Sequence, residues 1–585
     1  MQRRAEDKVI PPQTRSVFTR QSRWIILPPE PLNDSSIAWS EFCGCKCIAR
    51  LLLRKGFNNA DEVRAFLKPQ LKTLSDPFLL PNMKVAVARI LASLDRRERI
   101  VLFGDYDVDG VTSLALLAEM LRAYGAEPDL FLPLRMEEGY GLSSESVERC
   151  VEQHRPQLLI ALDCGTSSAT EIVELHGRGV DVIVVDHHEP KSGLPECVAI
   201  VNPKTDPASA FHYLCTAGIV FKLCHALLKA RPAEFDLKSK LDLVALATVA
   251  DIVPLRGENR TFVQRGAIEI ARATRPGLKK LIAISGVKRP IFTEDIGYRL
   301  GPRLNAAGRL STAEKSLRLL LTQNESEATE LAEFLDKQNR ERQEVEKQIF
   351  AAAEEKIAKE FDPSRDAAIV VSERGWHAGV LGIVASRIAR KYHRPAIVIG
   401  VDESGVGKGS GRSIEGLNLV QALNRCADKL EKYGGHEMAA GLTIQEKDVD
   451  VFAEEFRRVA RELLSDDDLL PRLRLDDEIS FAELNYDFLG WHEMLQPFGN
   501  CNPQPLFFAR GVESVVAPRV VGENHLALVL RQQNYQRRAI FFGAAENSLP
   551  AQPWDIAFRI RPDEYEGETR LEIRVEAVRE SARVS

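Results

Sequence analysis

Four short, almost continuously apolar runs near the head of this chain alternate with helix-forming segments, and that alternation leaves few folds open. RIVLFGD (99–105), DLFLPLR (129–135), LLIALDCG (158–165) and VDVIVVDHH (180–188) read as buried strands. Between them, SLALLAEMLRAYG (113–125) is a helix stopped by Gly125, SSESVERCVEQHRP (143–156) a helix with serine caps, and ATEIVELHGRG (169–179) a third. Strands separated by helices of this length form βαβ units, so a parallel sheet covered on both faces is expected.

The rest of the chain changes character twice. Residues 40–98 are helical in pattern, and AGIVFKLCHALLKAR and LDLVALATVAD continue the first block. The stretch 312–360 is charged, with apolar residues at Leu331, Phe334, Leu335, Val345, Ile349 and Phe350, which suggests one long connecting helix. A second α/β block opens at AAIVVSE (367–373) and ends near 465. Beyond LRLDDEIS (473–480) the short runs RGVESVVAPRVVG, HLALVLRQQ, RRAIFFG and TRLEIRVEAV predict a small β-barrel or sandwich. With 585 residues, roughly four domains are expected at about 150 residues each. No apolar run approaches the ~18 residues of a membrane helix, and the arginine-bearing N-terminus lacks the apolar core of a signal peptide. Cys43, Cys45 and Cys47 do not match the paired knuckles of a zinc site and read as a Cys-rich helix start. The net charge of −6 argues weakly against a protein that coats nucleic acid but leaves a local basic groove open.

Chemistry concentrates at the strand ends. Asp105, Asp107 and Asp109, closed by Gly110, follow the first strand directly. Carboxylates so spaced project several oxygens into one small volume, and a hard divalent cation offsets their repulsion. A calcium loop would need glutamate at its twelfth position, which is Leu116; a solvated acidic turn is the bland alternative. Asp163 ends the third strand, and Asp186, His187 and His188 end the fourth. Ligands of open α/β sheets bind beyond the carboxyl ends of the strands, so these residues share one edge. Mixed Asp/His ligation suits two Mn²⁺ or Mg²⁺ ions serving an in-line displacement at phosphorus. Asp251 alone reads as a C-terminal turn residue. GYRLGPRLNAAGRL (297–310) carries Arg299, Arg303 and Arg309, whose forks suit phosphate. GVGKGSGRS (405–413) reads as a Gly-rich loop offering Lys408, Ser410 and Arg412, but Gly409 after Lys408 excludes a nucleotide-binding P-loop. His436 stands on a Gly turn, where a structural role is the commoner one.

Taken in order, GDYDVDGVTS, LDCGTSS, VVDHHEP, VADIVPL and GPRLNAAGR resemble the DHH phosphoesterases. GWHAGVLGIVASRI, GSGRS and GGHEMAAGL resemble the DHH-associated C-terminal domain. With PFGNCNPQPLF and the β-rich tail, the likeness extends over roughly residues 45 to 585 to the bacterial single-strand-specific 5′→3′ DNA exonucleases of that superfamily. The resemblance implies two α/β domains joined by a long helix and followed by an OB-like barrel. The boundaries expected are an N-terminal lead-in (1–85), a DHH catalytic domain (86–311), a connecting helix (312–362), the DHH-associated domain (363–467) and the barrel (468–585). It implies Asp107, Asp109, Asp163, His187 and Asp251 as ligands of two Mn²⁺ or Mg²⁺ ions, with Asp105 and His188 adjoining as catalytic residues. It implies Arg303, Asn305, Arg309, Ser410, Arg412 and His436 as substrate-binding residues along a DNA path threading the cleft between the two α/β blocks. The expected enzyme is a cytoplasmic monomer of DNA repair and recombination that acts on single-stranded DNA, beside a single-stranded-DNA-binding protein and a helicase, and away from membranes. Two other readings stay open: a phosphodiesterase of short oligonucleotides or cyclic dinucleotides, and a non-catalytic strand-binding scaffold. Cys164 stands where the family has Asn, beside a ligand, which could alter metal preference; Cys501 replaces a loop glycine. In the tail, Phe507, Phe508, Phe541 and Phe542 are candidate stacking residues, although at most one of each adjacent pair can face a strand, and core packing is the alternative for the other member and for all four.

Overall fold

Five parallel strands organise the first unit of the computed structural model: β1 (Ile100–Gly104), β2 (Asp129–Phe131), β3 (Leu158–Leu162), β4 (Asp181–Val185) and β5 (Ala199–Val201), in the order β2-β1-β3-β4-β5. Side chains alternate across the sheet, which is why the runs read as continuously apolar. Ile100, Leu102, Leu158, Ile160, Leu162, Ile183 and Val185 enter one apolar cluster. Val101, Phe103, Leu159, Ala161, Val182 and Val184 enter another on the opposite face. Helices α1 (Val108–Ala123) and α2 (Thr216–Ala230) bury their apolar residues in the first cluster. The helices Ser144–His154 and Ala169–Gly177 contribute Val147, Cys150, Ile172 and Leu175 to the second. The chain leaves β1 toward β2 on one side and then toward β3 on the other. That reversal makes the carboxyl ends of β1 and β3 flank a topological switch point, where such sheets place their ligands.

The structure describes residues 22–31, 45–134, 138, 141–190, 193–310, 312–522, 524–546, 548–565 and 568–581. Two units divide the chain: Lys68–Arg342 with Gln496–Pro503, and the remainder. The charged stretch expected to form one helix holds two, Glu314–Leu321 and the 36-residue Glu325–Glu360. Asn324 separates them because its side chain accepts from the N–H groups of Ser326 and Glu327, capping the second.

In the second unit a five-stranded sheet runs Lys432–Gly435, Ala439–Gln445, Val406–Arg412, Ala396–Val401, Ile369–Arg374; only its last pair is parallel. Here the glycine-rich stretch expected as a loop is strand Val406–Arg412. A Cβ on Gly409 would lie 2.7 Å from Leu442 and one on Gly411 2.8 Å from Leu419, so the glycines admit these large neighbours. The C-terminal strands close a barrel: Phe507–Ser514 pairs with Trp554–Tyr565, then Glu568–Glu580, Tyr535–Phe541 and His525–Gln532, which returns to Phe507–Ser514 through Glu513↔Arg531. Phe507, Phe508 and Phe541 are buried there, so the stacking role considered for them is excluded. Phe542 is half-buried, edge-on to His525 and under the Arg574 guanidinium. Cys45 is the N-cap of helix Lys46–Arg54, while Cys43 lies outside the described residues. Among the described residues no helix is long and apolar enough to cross a membrane.

Candidate metal centre

The acidic loop after β1 is shaped by the start of α1. Asp107 is the N-cap, and its Oδ1 accepts from the N–H groups of Asp109 and Gly110 at 2.9 and 3.1 Å. This carries Asp109 into the first turn, buried, and brings Gly110 against the Asp105 backbone. A Cβ on Gly110 would sit 2.4 Å from the Asp105 carbonyl oxygen, so no other residue fits. Helix Gly301–Leu310 braces the loop from outside. Asn305 Oδ1 accepts from Val108 N at 3.0 Å, and a Cβ on Gly308 would meet the Tyr106 carbonyl at 2.7 Å.

Three further elements bring their side chains to the same place. Asp163 follows β3 with φ +67°, a left-handed conformation costly for a non-glycine residue. Asp251 caps the helix Leu241–Ala250, and the exposed Ile252 after it has φ +58°. His187 follows β4, and its Nε2 lies 3.4 Å from Asp251 Oδ2, 3.5 Å from Asp163 Oδ1 and 3.8 Å from Asp109 Oδ2. His187 Nε2 and Asp251 Oδ2 are buried without a hydrogen-bond partner among the described residues. The potential ligand atoms form three overlapping groups: Asp109, His187 and Asp251; Asp105, Asp107 and Asp163; and Asp163, His187 and His188, each within 4.8 Å.

Burial and mutual repulsion dominate the electrostatics. Burial, reinforced by Asp107, raises Asp109 to about 6. Burial, with the neighbouring aspartates, holds Asp163 and Asp251 well above the usual carboxylate range. His187 is pushed down to about 3 by burial and by His188. His188 behaves oppositely: burial works against its charge, but Asp186 outweighs this and raises it to about 9. Asp186 turns away from the cluster, and its Oδ1 meets His188 Nδ1 at 2.7 Å while Oδ2 accepts from Thr166 N at 3.1 Å. Clustered carboxylate oxygens with an unpartnered, neutral imidazole suit hard divalent cations such as Mn²⁺ or Mg²⁺. Cys164 takes no part: it packs in the apolar cluster on the opposite face, and burial pushes its thiol well up, so it stays neutral.

Two sets of contacts were not foreseen. The first residues of α2 support the carboxylates: Thr216 N and Ala217 N donate to Asp109 Oδ2 and Oδ1 at 2.7 and 2.8 Å, and Thr216 Oγ1 donates to Asp163 Oδ1 at 2.8 Å. The segment Gln496–Pro503 returns to this unit, where Asn500 Nδ2 donates to the Ile252 carbonyl at 2.7 Å and Asn500 O accepts from Leu255 N at 2.8 Å. Cys501, with φ +59°, occupies a conformation that favours the expected glycine. The available signals were a polar residue opening an apolar helix and the turn-rich PFGNCNP, but neither names its distant partner.

The expected phosphate-binding residues divide. Arg303 is committed to Asp336 Oδ1 at 2.8 Å and to the Arg299 carbonyl at 2.7 Å. Arg309 is in the helix Gly301–Leu310, with its side chain outside the described part. In the second unit Ser410 and Arg412 share one strand face, 3.2 Å apart from Nη1 to Oγ. They lie over Gly382, where a Cβ would sit 2.9 Å from Arg412 Nη2 and 3.0 Å from Ser410 Oγ. His436 is exposed after strand Lys432–Gly435, its N–H donating to the Ala439 carbonyl.

Comparison with known proteins matches three family models: the DHH family N-terminal domain over residues 99–248, the DHHA1 domain over 366–462 and the RecJ OB domain over 475–577. The chain is 37% identical over 537 residues to the single-stranded-DNA-specific exonuclease RecJ of Bacillus subtilis, covering 91% of this chain and 67% of that one. It is 35% identical over 506 residues to its Escherichia coli counterpart, covering 83% and 86%. The crystal structure of RecJ from Thermus thermophilus in complex with Mn²⁺ superposes with a TM-score of 0.82 at 30% identity, covering 96% of this chain and 80% of that one.

Proposed function

This chain belongs to the RecJ family of single-stranded-DNA-specific exonucleases, and from that premise we propose that it removes nucleotides from the 5′ end of single-stranded DNA by metal-dependent phosphodiester hydrolysis. The observation that carries the reading is His187 Nε2, buried and unpartnered, facing three carboxylates at 3.4 to 3.8 Å. Asp107, Asp109, Asp163, His187 and Asp251 would hold two Mn²⁺ or Mg²⁺ ions, with Asp105 adjoining. Such ions, when bound, lower the pKa of a water nucleophile and stabilise negative charge at phosphorus.

The chain's own residues orient and move protons around that centre. Asp109 cannot swing, because both oxygens accept backbone N–H bonds from α2. His188, kept protonated by Asp186 through Nδ1, can donate from Nε2 to the departing 3′-oxygen. Asn305 and Arg303 work from outside the reacting atoms, the first holding Val108 and the second tied to Asp336. Ser410 and Arg412, with Arg309 and His436, are assigned to the strand and its terminal 5′ phosphate. Burial works against the Arg412 charge, and an anion there would relieve it. The reading extends to DNA repair and recombination, which the substrate class supports, and to a cytoplasmic monomer beside a single-stranded-DNA-binding protein and a helicase.

The test is digestion of 5′-labelled and 3′-labelled single strands, with and without EDTA. Metal-dependent release of the 5′ label first is expected, with Arg412→Ala reducing the preference for 5′-phosphorylated over 5′-hydroxyl ends. Release from the 3′ end, or activity indifferent to EDTA, would overturn the proposal.

A further inference from the structure

Asp163 is placed at the meeting point of the ligand groups. It follows the last residue of β3 in a left-handed conformation, and it belongs to two of the three groups. The Thr216 hydroxyl holds it from outside: fully buried at the first position of α2, it donates to Asp163 Oδ1 at 2.8 Å. The same oxygen lies 3.5 Å from His187 Nε2. A carboxylate oxygen has two lone pairs, so it can accept from Thr216 and still serve as a ligand.

Thr216 also touches the second carboxylate by an independent route, since its backbone N–H donates to Asp109 Oδ2. One residue therefore sets the orientation of two ligands drawn from different elements. The backbone arm survives any substitution except proline; the hydroxyl arm does not. We propose that Thr216 is a positioning residue for the metal centre, its hydroxyl holding Asp163 in the orientation that binds a divalent cation.

This inference rests on the metal-binding reading above. Partners that orient metal ligands typically cost about 10–100-fold in metal affinity when removed. Thr216→Val keeps the β-branch, most of the volume and the backbone N–H, while Thr216→Ser keeps the hydroxyl. Mn²⁺ binding to the whole protein can be followed by the electron paramagnetic resonance signal of the free ion, without substrate. The dissociation constant of Thr216→Val should rise about tenfold, and that of Thr216→Ser should stay within about threefold of the parent. Melting curves in EDTA establish that each variant is folded; if Thr216→Val is not, Thr216→Ala serves as the second hydroxyl-less variant.

Unchanged Mn²⁺ affinity in the folded hydroxyl-less variant would overturn the proposal. So would an equal loss in Thr216→Ser, which would assign the effect to packing. Asp163→Ala separates the two levels of inference. If it binds Mn²⁺ as the parent does, the metal reading itself has failed, and the proposal with it. If it binds weakly while Thr216→Val binds normally, only the role of Thr216 is lost.

Discussion

At the carboxyl end of the parallel sheet Asp105, Asp109, Asp163 and His187 are buried, whereas the barrel buries Phe507, Phe541 and Phe558 and turns Arg531, Tyr535 and Arg538 to solvent. The barrel follows the ordinary direction of the hydrophobic effect. The sheet edge runs against it: ionisable groups crowd together at a cost that a bound cation would offset. Two residues in left-handed backbone, Asp163 and Ile252, add strain at the same place. The difference teaches which region the fold needs and which only the chemistry needs. Removing a polar group from the sheet edge should cost function and spare the fold. In the barrel interior, removal of an aromatic ring should do the reverse.

The largest expected effect tests this directly. Asp163→Ala or His187→Ala should lower hydrolysis at least about 100-fold, as much as loss of even an outlying ligand partner can cost. Without metal, however, neither variant should melt below the parent. The sign follows from the raised carboxylates. A group whose folded pKa exceeds its unfolded value near ~4 stabilises the fold fully below that value and loses its contribution as pH rises through the folded value. For Asp109 that folded value is about 6, and Asp163 and Asp251 lie well above the usual range. The EDTA-treated parent should therefore melt at lower temperature as pH rises through and beyond 6, and added Mn²⁺ should restore it. Asp163→Ala should flatten the slope. By contrast Phe558→Ala should cost about 3–5 kcal/mol of stability and leave Mn²⁺ affinity intact. An Asp163→Ala variant that melts markedly lower in EDTA would erase the contrast.

A smaller effect sharpens where the two regions end. A break after about residue 470 follows the composition, but Gln496–Pro503 packs with the catalytic unit. Asn500→Ala removes the hydrogen bond to the Ile252 carbonyl beside Asp251, together with a longer one from the Cys501 thiol. Turnover of a short oligonucleotide should fall about tenfold, within the range for partners that orient ligands. A chain ending at Pro503 should keep single-turnover cleavage of that oligonucleotide, whereas one ending at 470 should lose it. Equal activity in the two truncations would deny the loop its supporting role, once solubility and melting curves show both to be folded.

The strands, their acidic ends and the histidines were legible because each is a local pattern of apolar runs closed by polar residues. What escaped is nonlocal. Thr216 reaches a residue 53 positions away, and Asn500 one 248 positions away, and nothing in either neighbourhood specifies the partner. Period-two alternation predicts that Phe507 and Phe508 face opposite ways, and they do. Phe507 packs inside against Phe488, His492 and Phe558. Phe508 faces out of the barrel but is covered by Leu475, Trp24 and Leu473, because strand Arg23–Ile26 pairs with Arg472–Leu475 over it. The covering strand lies more than 400 residues away, as the Arg23–Asp467 contact with its separation of 444 illustrates. Alternation alone therefore leaves open whether the outward face is covered, and at Phe508 it is.

The smallest expected effect lies on the barrel surface and completes the contrast. With the buried phenylalanines excluded, Tyr535 becomes the aromatic to examine, 44% exposed at a hairpin and paired with Gln532 across it. Base stacking on such a ring contributes about 1–3 kcal/mol where a strand uses it. Tyr535→Ala should therefore weaken long-strand binding by no more than that and leave Tyr535→Phe close to the parent. Stability should change within about 0.5 kcal/mol, because an exposed side chain leaves no cavity. Arg538→Ala removes a charge from the same strand and should lower the slope of log affinity against log salt by about 1 if it touches a phosphate. These two losses differ in kind: the first should persist at high salt, and the second should fade. Fluorescence titration of a long oligothymidine at two salt concentrations separates them. A Tyr535→Ala variant that binds normally at both would move the strand to another face of the barrel. Loss of cleavage on a short oligonucleotide in the same variant would instead show that the barrel surface and the metal centre are not independent.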